Sequence, residues 1–228
     1  MAEKSKFHED LSEEQRLGQY LFDFVYPTIK ELTNINIQRK EDAESQKLGI
    51  DLLLTWKKED KLKNYKVDEK AQLHYINRNL PTFAFEISSY SKLDRNTSKY
   101  VWKQGWLYDG ELQTEGYFLV TCIKRGSQND FDSVRLVHVY RNRLLTYLHN
   151  KGLTGHKILE YDKKFRDENF WKSKKSKDKI FVNELDKRIG YFRCTHHLKE
   201  RPINLVLYIN KLIDMKLAKE LLPCTLKN

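Results

Sequence analysis

Gly49-Ile50-Asp51-Leu52-Leu53-Leu54-Thr55-Trp56, a lysine-rich turn, and Tyr65-Lys66-Val67-Asp68-Glu69-Lys70-Ala71-Gln72 form the stretch around which the chain is organised. Two short apolar runs bounded by polar residues read as neighbouring strands joined by a hairpin. Strand side chains alternate between faces, so Asp68 and Lys70 share one face and Glu69 takes the other. Next to a strand that carries Asp51, they make a cluster of two carboxylates and one ammonium.

That cluster suits phosphodiester hydrolysis. Carboxylate oxygens are the ligands that Mg²⁺ prefers, and it takes one or two of them together with waters and substrate oxygens. A lysine beside such an ion orients the attacking water and stabilises charge that builds on phosphorus oxygens. An Asp-x-Lys triplet on its own is more often a surface ion pair on a hairpin, so the rest of the chain has to decide.

Hydrophobic residues at 39% and aromatics at 12% exclude wholesale disorder, and 228 residues suffice for a real core. Lys+Arg of 42 against Asp+Glu of 32 gives a net charge of +10. That excess favours a polyanionic partner, nucleic acid first and an acidic membrane second. No stretch approaches the length of a membrane span, and the polar start, Met1 to Asp10, lacks a signal-peptide core. Three widely spaced cysteines, Cys122, Cys194 and Cys224, point to a reducing, cytoplasmic compartment.

Ser12-Glu13-Glu14-Gln15 reads as a capping box, and Leu17, Leu21, Phe24, Val25, Ile29 and Leu32 follow at helical spacing. The expected helix runs to about residue 32, with Pro27 as a kink. Its acids Glu14 and Asp23 are candidates to complete a metal site, although a solvated helix face is the more frequent use of such residues. Arg39, Asp42 and Gln46 lead into Gly49 and would form a rim, or else a solvated connection.

Leu80 to Ser88 reads as a third strand with Glu86 inside it, a residue that needs a partner if buried. Tyr100 to Tyr108 is an aromatic, basic stretch expected as helix-like cover over the sheet, with Lys103 and Gln104 as candidate nucleic-acid contacts. Strands are expected at Gly116 to Ile123 and Val134 to Tyr140, then a helix from Arg141 to Lys151 closed by Gly152. Further on, Lys172, Lys174 and Lys175 follow aromatic residues and would touch a phosphate backbone, or sit in a solvated loop. Strands at Lys179 to Val182 and Ile203 to Tyr208 and a helical tail near Leu212 to Leu221 complete the order. Cys194-Thr195-His196-His197 lacks the second spaced pair that a zinc site requires. The elements add up to an α/β protein with helices flanking a central mixed sheet.

Gly49-Ile50-Asp51, then Val67-Asp68-Glu69-Lys70-Ala71, after an amphipathic helix and before a strand that bears Glu86, resembles the PD-(D/E)XK nuclease superfamily. The Asp-x-Lys triplet starts 17 positions after the first aspartate (68 minus 51), and isoleucine replaces the proline of the superfamily's name. The likeness covers about residues 12 to 123. It implies a restriction-endonuclease-like core, assigned to residues 1–152; residues 153–228, which the likeness does not account for, are expected as an α+β extension packed on that core rather than an independent domain. It implies further that Asp51 and Asp68 bind Mg²⁺, for which Mn²⁺ can substitute, and that Lys70 positions the water. Glu86 and Gln72 would support them, and DNA would be the substrate. Cutting both strands asks for two sites, which a homodimer would supply.

Two other functions fit the composition. A non-catalytic nucleic-acid-binding module needs the basic surface but not the acids. A structural or interaction protein would use the acids only as lysine partners. An Asp51–Asp68 separation beyond about 8 Å, too wide for one small ion to bridge, would end the nuclease expectation.

Overall fold

The computed structural model describes residues 7–92, 100–126, 130–173, 178–195 and 198–225. In chain order the elements are α1 (Phe7–Tyr20), a π-helical turn (Leu21–Val25), 3-10 turns (Tyr26–Thr28 and Lys30–Leu32), β1 (Asn36–Arg39), α2 (Ala43–Lys47), β2 (Leu52–Lys58) and β3 (Lys61–Ala71). A 3-10 turn (Leu73–Tyr75), β4 (Thr82–Lys92), β5 (Tyr100–Gln104), β6 (Gly116–Arg125), β7 (Phe131–Tyr140) and α3 (Arg141–Asn150) follow. The chain continues through α4 (Gly155–Arg166), α5 (Glu168–Ser173), β8 (Gly190–Cys194), β9 (Ile203–Tyr208), α6 (Ile209–Asp214) and β10 (Ala218–Leu222). No helix among the described residues is long and apolar enough to cross a membrane.

The chain divides into two compact units. The first comprises residues 1–80, 114–139 and 219–228. It holds a six-stranded mixed sheet in the order β1-β2-β3-β6-β7-β10. β2 pairs antiparallel with β1 and β3, as the hairpin reading requires, and β3 pairs parallel with β6. Leu52 and Leu54 on β2 and Val67 on β3 turn to one face, where Leu17, Leu21, Val25, Ile29 and Leu32 cover them. Burying each such side chain stabilises the fold by about 1.5–3 kcal/mol.

The helix expected from Ser12 to residue 32 is not one α-helix. α1 already starts at Phe7, and the chain tightens into 3-10 turns after the π-helical turn. Pro27, lacking an N–H, sits at the start of the first 3-10 turn, where no helical donor is needed. The π-helical turn keeps both Leu21 and Val25 in the core and leaves Phe24 66% exposed.

The second unit, residues 81–113 and 140–218, is built on a four-stranded antiparallel sheet in the order β5-β4-β9-β8. The segment expected as helix-like cover is in part strand: Tyr100–Gln104 pairs with Ser88–Lys92 of β4. Gly105 follows because a Cβ there would collide with the Glu86 backbone. Asp162 of α4 is buried but fully engaged: Trp102 Nε1 donates to it at 3.0 Å, Arg166 Nε at 2.9 Å, and the Ser88 hydroxyl donates as well. The strand expected at Lys179 to Val182 is only a bridge between Ile180 and Phe192. The expected helical tail is helix to Asp214 and then strand, β10.

The compact units do not divide at residue 152. β8 and β9 complete a sheet with β4 and β5, so residues 81–113 cluster with the C-terminal third, whereas β10 returns to the first sheet. Cys122 and Cys224, 102 positions apart, are joined in a disulfide with Cα atoms 5.9 Å apart. The bridge removes the basis on which unpaired cysteines argued for a reducing compartment. Cys194 remains a free, buried thiol.

Candidate active site

The acids meet where β2 and β3 begin to pair. Gly49, with φ of 69°, turns the chain into Asp51, and the Gly49 carbonyl accepts from Thr114 Oγ1 at 2.6 Å. The Asp51 amide donates to the Val67 carbonyl at 2.9 Å, and Leu52 pairs with Val67. Asp51 Oδ2 then accepts from the Glu69 amide at 2.7 Å, and its Oδ1 accepts from Gln46 Nε2 at 3.1 Å. Gln46 also donates to the Lys40 carbonyl at 2.9 Å, so it ties the approach loop to the acid.

Asp68 is 2% exposed, with the Asp51 carboxyl beside it as a neighbouring acid. Burial pushes its pKa up to about 7; Lys70 opposes that rise and Asp51 adds to it. Lys70 Nζ lies 2.7 Å from Asp68 Oδ1, and its side chain keeps 31% of its surface. Burial works against the Lys70 charge, but Asp68, then Asp51 and Glu14, outweigh it and raise the ammonium pKa.

Glu69 takes the opposite face, as alternation requires, and is largely covered and engaged by two donors. Tyr26 donates its hydroxyl to Glu69 Oε1, and Arg39 Nη1 donates to Oε2 at 2.6 Å. Arg39 Nη2 continues to the Gly18 carbonyl at 2.9 Å. Burial raises the Glu69 pKa, with Arg39 and Tyr26 pulling the other way. Arg39 therefore buttresses the back of the hairpin instead of forming a substrate rim. Tyr26 lies outside the periodic set of the N-terminal helix, and nothing in the sequence around it signals a partner 43 residues away.

The remaining candidates are placed as follows. Asp42 caps α2, accepting from Ser45 N at 2.8 Å. Asp23 is exposed and accepts from Gln19 at 2.6 Å, a local helix pair. Gln72 lies just past the end of β3, with φ of −94° and ψ of 56°, so strand alternation does not orient it. Glu86 belongs to the second unit, where Ser89 Oγ donates to it at 3.3 Å next to the register shift of β4. Lys103 is exposed on β5, and Gln104 Nε2 donates to the Tyr108 carbonyl at 2.9 Å. Lys172 belongs to α5, its side chain outside the described part of the chain; Lys174 and Lys175 lie outside the described residues.

Asp51 and Asp68 present hard oxygen donors side by side, Asp68 buried and Asp51 half-buried. That is the donor chemistry a divalent cation takes, so the pair fits Mg²⁺ or Mn²⁺. No group of three His, Cys, Asp or Glu residues arranged for a metal occurs among the described residues, so waters and substrate oxygens would complete the sphere. Comparison with family models, curated proteins and solved structures gives no match for the chain.

Proposed function

We propose that the chain is a Mg²⁺-dependent nuclease that hydrolyses phosphodiester bonds of DNA, with a restriction-endonuclease-like core in its first unit. The observation that supports this most is the juxtaposition of Asp51, Asp68 and Lys70: two neighbouring carboxyls and an ammonium 2.7 Å from one of them. A surface ion pair would not bury Asp68 to 2% or bring a second acid against it.

Asp51 and Asp68 would hold the ion. When bound, it neutralises charge on the phosphate and lowers the pKa of a water in its sphere. Asp51 is fixed for this by two donors, Gln46 and the Glu69 amide. Lys70, kept charged by its acidic neighbours, orients the attacking water and stabilises negative charge on the phosphoryl oxygens. Glu14 adds to the negative field around the ammonium. The net charge of +10 favours a polyanionic substrate.

The test is nicking of supercoiled plasmid in the presence of MgCl₂, MnCl₂ or EDTA, with Asp68→Asn and Lys70→Met as variants. Metal-dependent nicking that falls at least about 100-fold in both variants, while duplex binding persists, is the expected result. Binding without metal-dependent nicking in the parent protein would replace this reading with a non-catalytic binding module.

A further inference from the structure

We infer that the outer half of the β2–β3 hairpin is a second contact for nucleic acid, a basic arm that grips phosphate backbone away from the acid pair. The inference rests on the nuclease reading only for the identity of the polyanion.

β1 pairs with β2 as far as Thr55, and β6 pairs with β3 from Val67 onward. Residues 56–64 therefore form a two-stranded ribbon without a further strand on either edge among the described residues. Its register sets Trp56 opposite Lys63 and Lys58 opposite Lys61. Directly opposed residues share a face, so one side of the ribbon carries Trp56, Lys58, Lys61 and Lys63, and the other carries Lys57 and Leu62. All four lysines are exposed, and none has an ion-pair partner among the described residues.

Two features mark the arm as more than a solvated loop. Like charges set directly across a ladder repel, and Lys58 and Lys61 stand in that relation. The two acids of the segment, Glu59 and Asp60, occupy the turn at φ of 52° and 58°, a left-handed conformation that side chains disfavour. The ribbon thus retains repulsion and backbone strain, and a row of phosphates relieves the first. Three ammonium groups around a half-buried indole suit a sugar-phosphate backbone, which offers charge and flat apolar surface together.

The arm lies well away from the candidate site. Lys61 is seven residues from Asp68 along β3, about 23 Å at strand rise, or about seven base pairs of duplex. Alternation also sends Lys61 and Lys63 to the face opposite Asp68 and Lys70. The arm therefore holds a stretch of backbone other than the one presented to the acids.

The experiment measures affinity for a duplex of about 30 base pairs by fluorescence anisotropy in EDTA, over roughly 50–200 mM salt. Each phosphate contact contributes about 0.9 to the slope of log K against log salt. The triple variant Lys58→Gln/Lys61→Gln/Lys63→Gln should lower that slope by about 3, and Lys57→Gln, on the other face, by less than about 1. Circular dichroism checks that the exposed substitutions leave the fold intact. An unchanged slope in the triple variant, or an equal loss in Lys57→Gln, overturns the proposal. So does a triple-variant defect seen on anionic lipid vesicles but not on DNA, which would assign the arm to a membrane. Binding is read without metal, so loss of cutting in Asp68→Asn with an intact arm effect supports both readings. An arm effect in a protein that never cuts leaves the arm standing and removes the nuclease.

Discussion

Asp51 Oδ2 accepts a 2.7 Å hydrogen bond from the backbone amide of Glu69, the residue between Asp68 and Lys70. One carboxylate is thereby fixed to the main chain of the strand that carries the other acid and the ammonium. The distance between the two acids follows from hairpin register and not from side-chain freedom.

Asp51→Asn and Asp51→Ala should separate the structural role of this bond from its charge. The asparagine carbonyl still accepts from the Glu69 amide, so Asp51→Asn should fold with stability within about 1 kcal/mol of the parent. Alanine leaves that half-buried amide unpaired and should cost about 1–3 kcal/mol. Urea denaturation at pH 8 reads the difference. Asp51→Asn also removes a neighbouring negative charge, so the Asp68 carboxyl should titrate lower than in the parent, which carbon-detected NMR would show.

Behind the hairpin, Arg39 and Glu69 form an ion pair at 2.6 Å with side chains 21% and 11% exposed. Arg39→Ala strands a buried carboxylate and should destabilise by about 3–5 kcal/mol. The double variant Arg39→Met/Glu69→Leu, which removes both charges, should recover most of that loss. Tyr26→Phe deletes one donor to the same carboxylate and should cost about 1.5–3 kcal/mol. A double variant no more stable than Arg39→Ala would mean that the pair's packing, and not its charge, carries the energy.

Much of this was legible in local pattern. The alternation of Leu52 and Leu54, the hairpin, and the shared face of Asp68 and Lys70 follow from a period of two. The α/β class with a mixed sheet follows from the order of elements. What escaped were relations across long stretches of sequence. Nothing local in Tyr26 announces Glu69, and nothing in Cys224 announces Cys122. Residues 81–113 look like a continuation of the first sheet until β9, more than a hundred residues later, pairs with β4. Glu86 was singled out as an acid in an apolar strand; that property is real, but its strand belongs to the second unit. Sequence shows the lysine-rich turn as a run of charge, and only the register shows three of its lysines on one face.

The Cys122–Cys224 bridge ties β6, the parallel neighbour of β3, to the segment after β10. Closing a loop of 102 residues should stabilise the oxidised protein by about 2–4 kcal/mol, mainly through the unfolded chain. Cys122 carries φ of 51° within a strand, so Cys122→Ser removes the bridge but keeps the backbone strain. Thermal melts with and without dithiothreitol should separate by about 4–8 °C or more for the parent and coincide for Cys122→Ser. Equal melts in the parent would show that the bridge contributes nothing in solution.

The pH dependence of stability has a definite sign at Asp68. Its folded pKa, raised by burial to about 7, lies above the roughly 3.9 of an unfolded aspartate. Between those values the native state binds the additional proton, so the contribution to stability is fully present below about pH 4 and is lost as pH rises through 7. Asp68→Asn cannot ionise and should flatten this part of the profile, becoming more stable than the parent at pH 8. A divalent cation held by the pair, as proposed, would act in the opposite direction, since it would bind the ionised form of Asp68 and compete with its proton. Added MgCl₂ should therefore raise the melting temperature more at pH 8 than at pH 6, and not at all in Asp68→Asn. Differential scanning fluorimetry across that range reads both effects at once. A Mg²⁺ shift of equal size at both pH values and in the variant would place the ion elsewhere on the protein and detach the acid pair from metal binding.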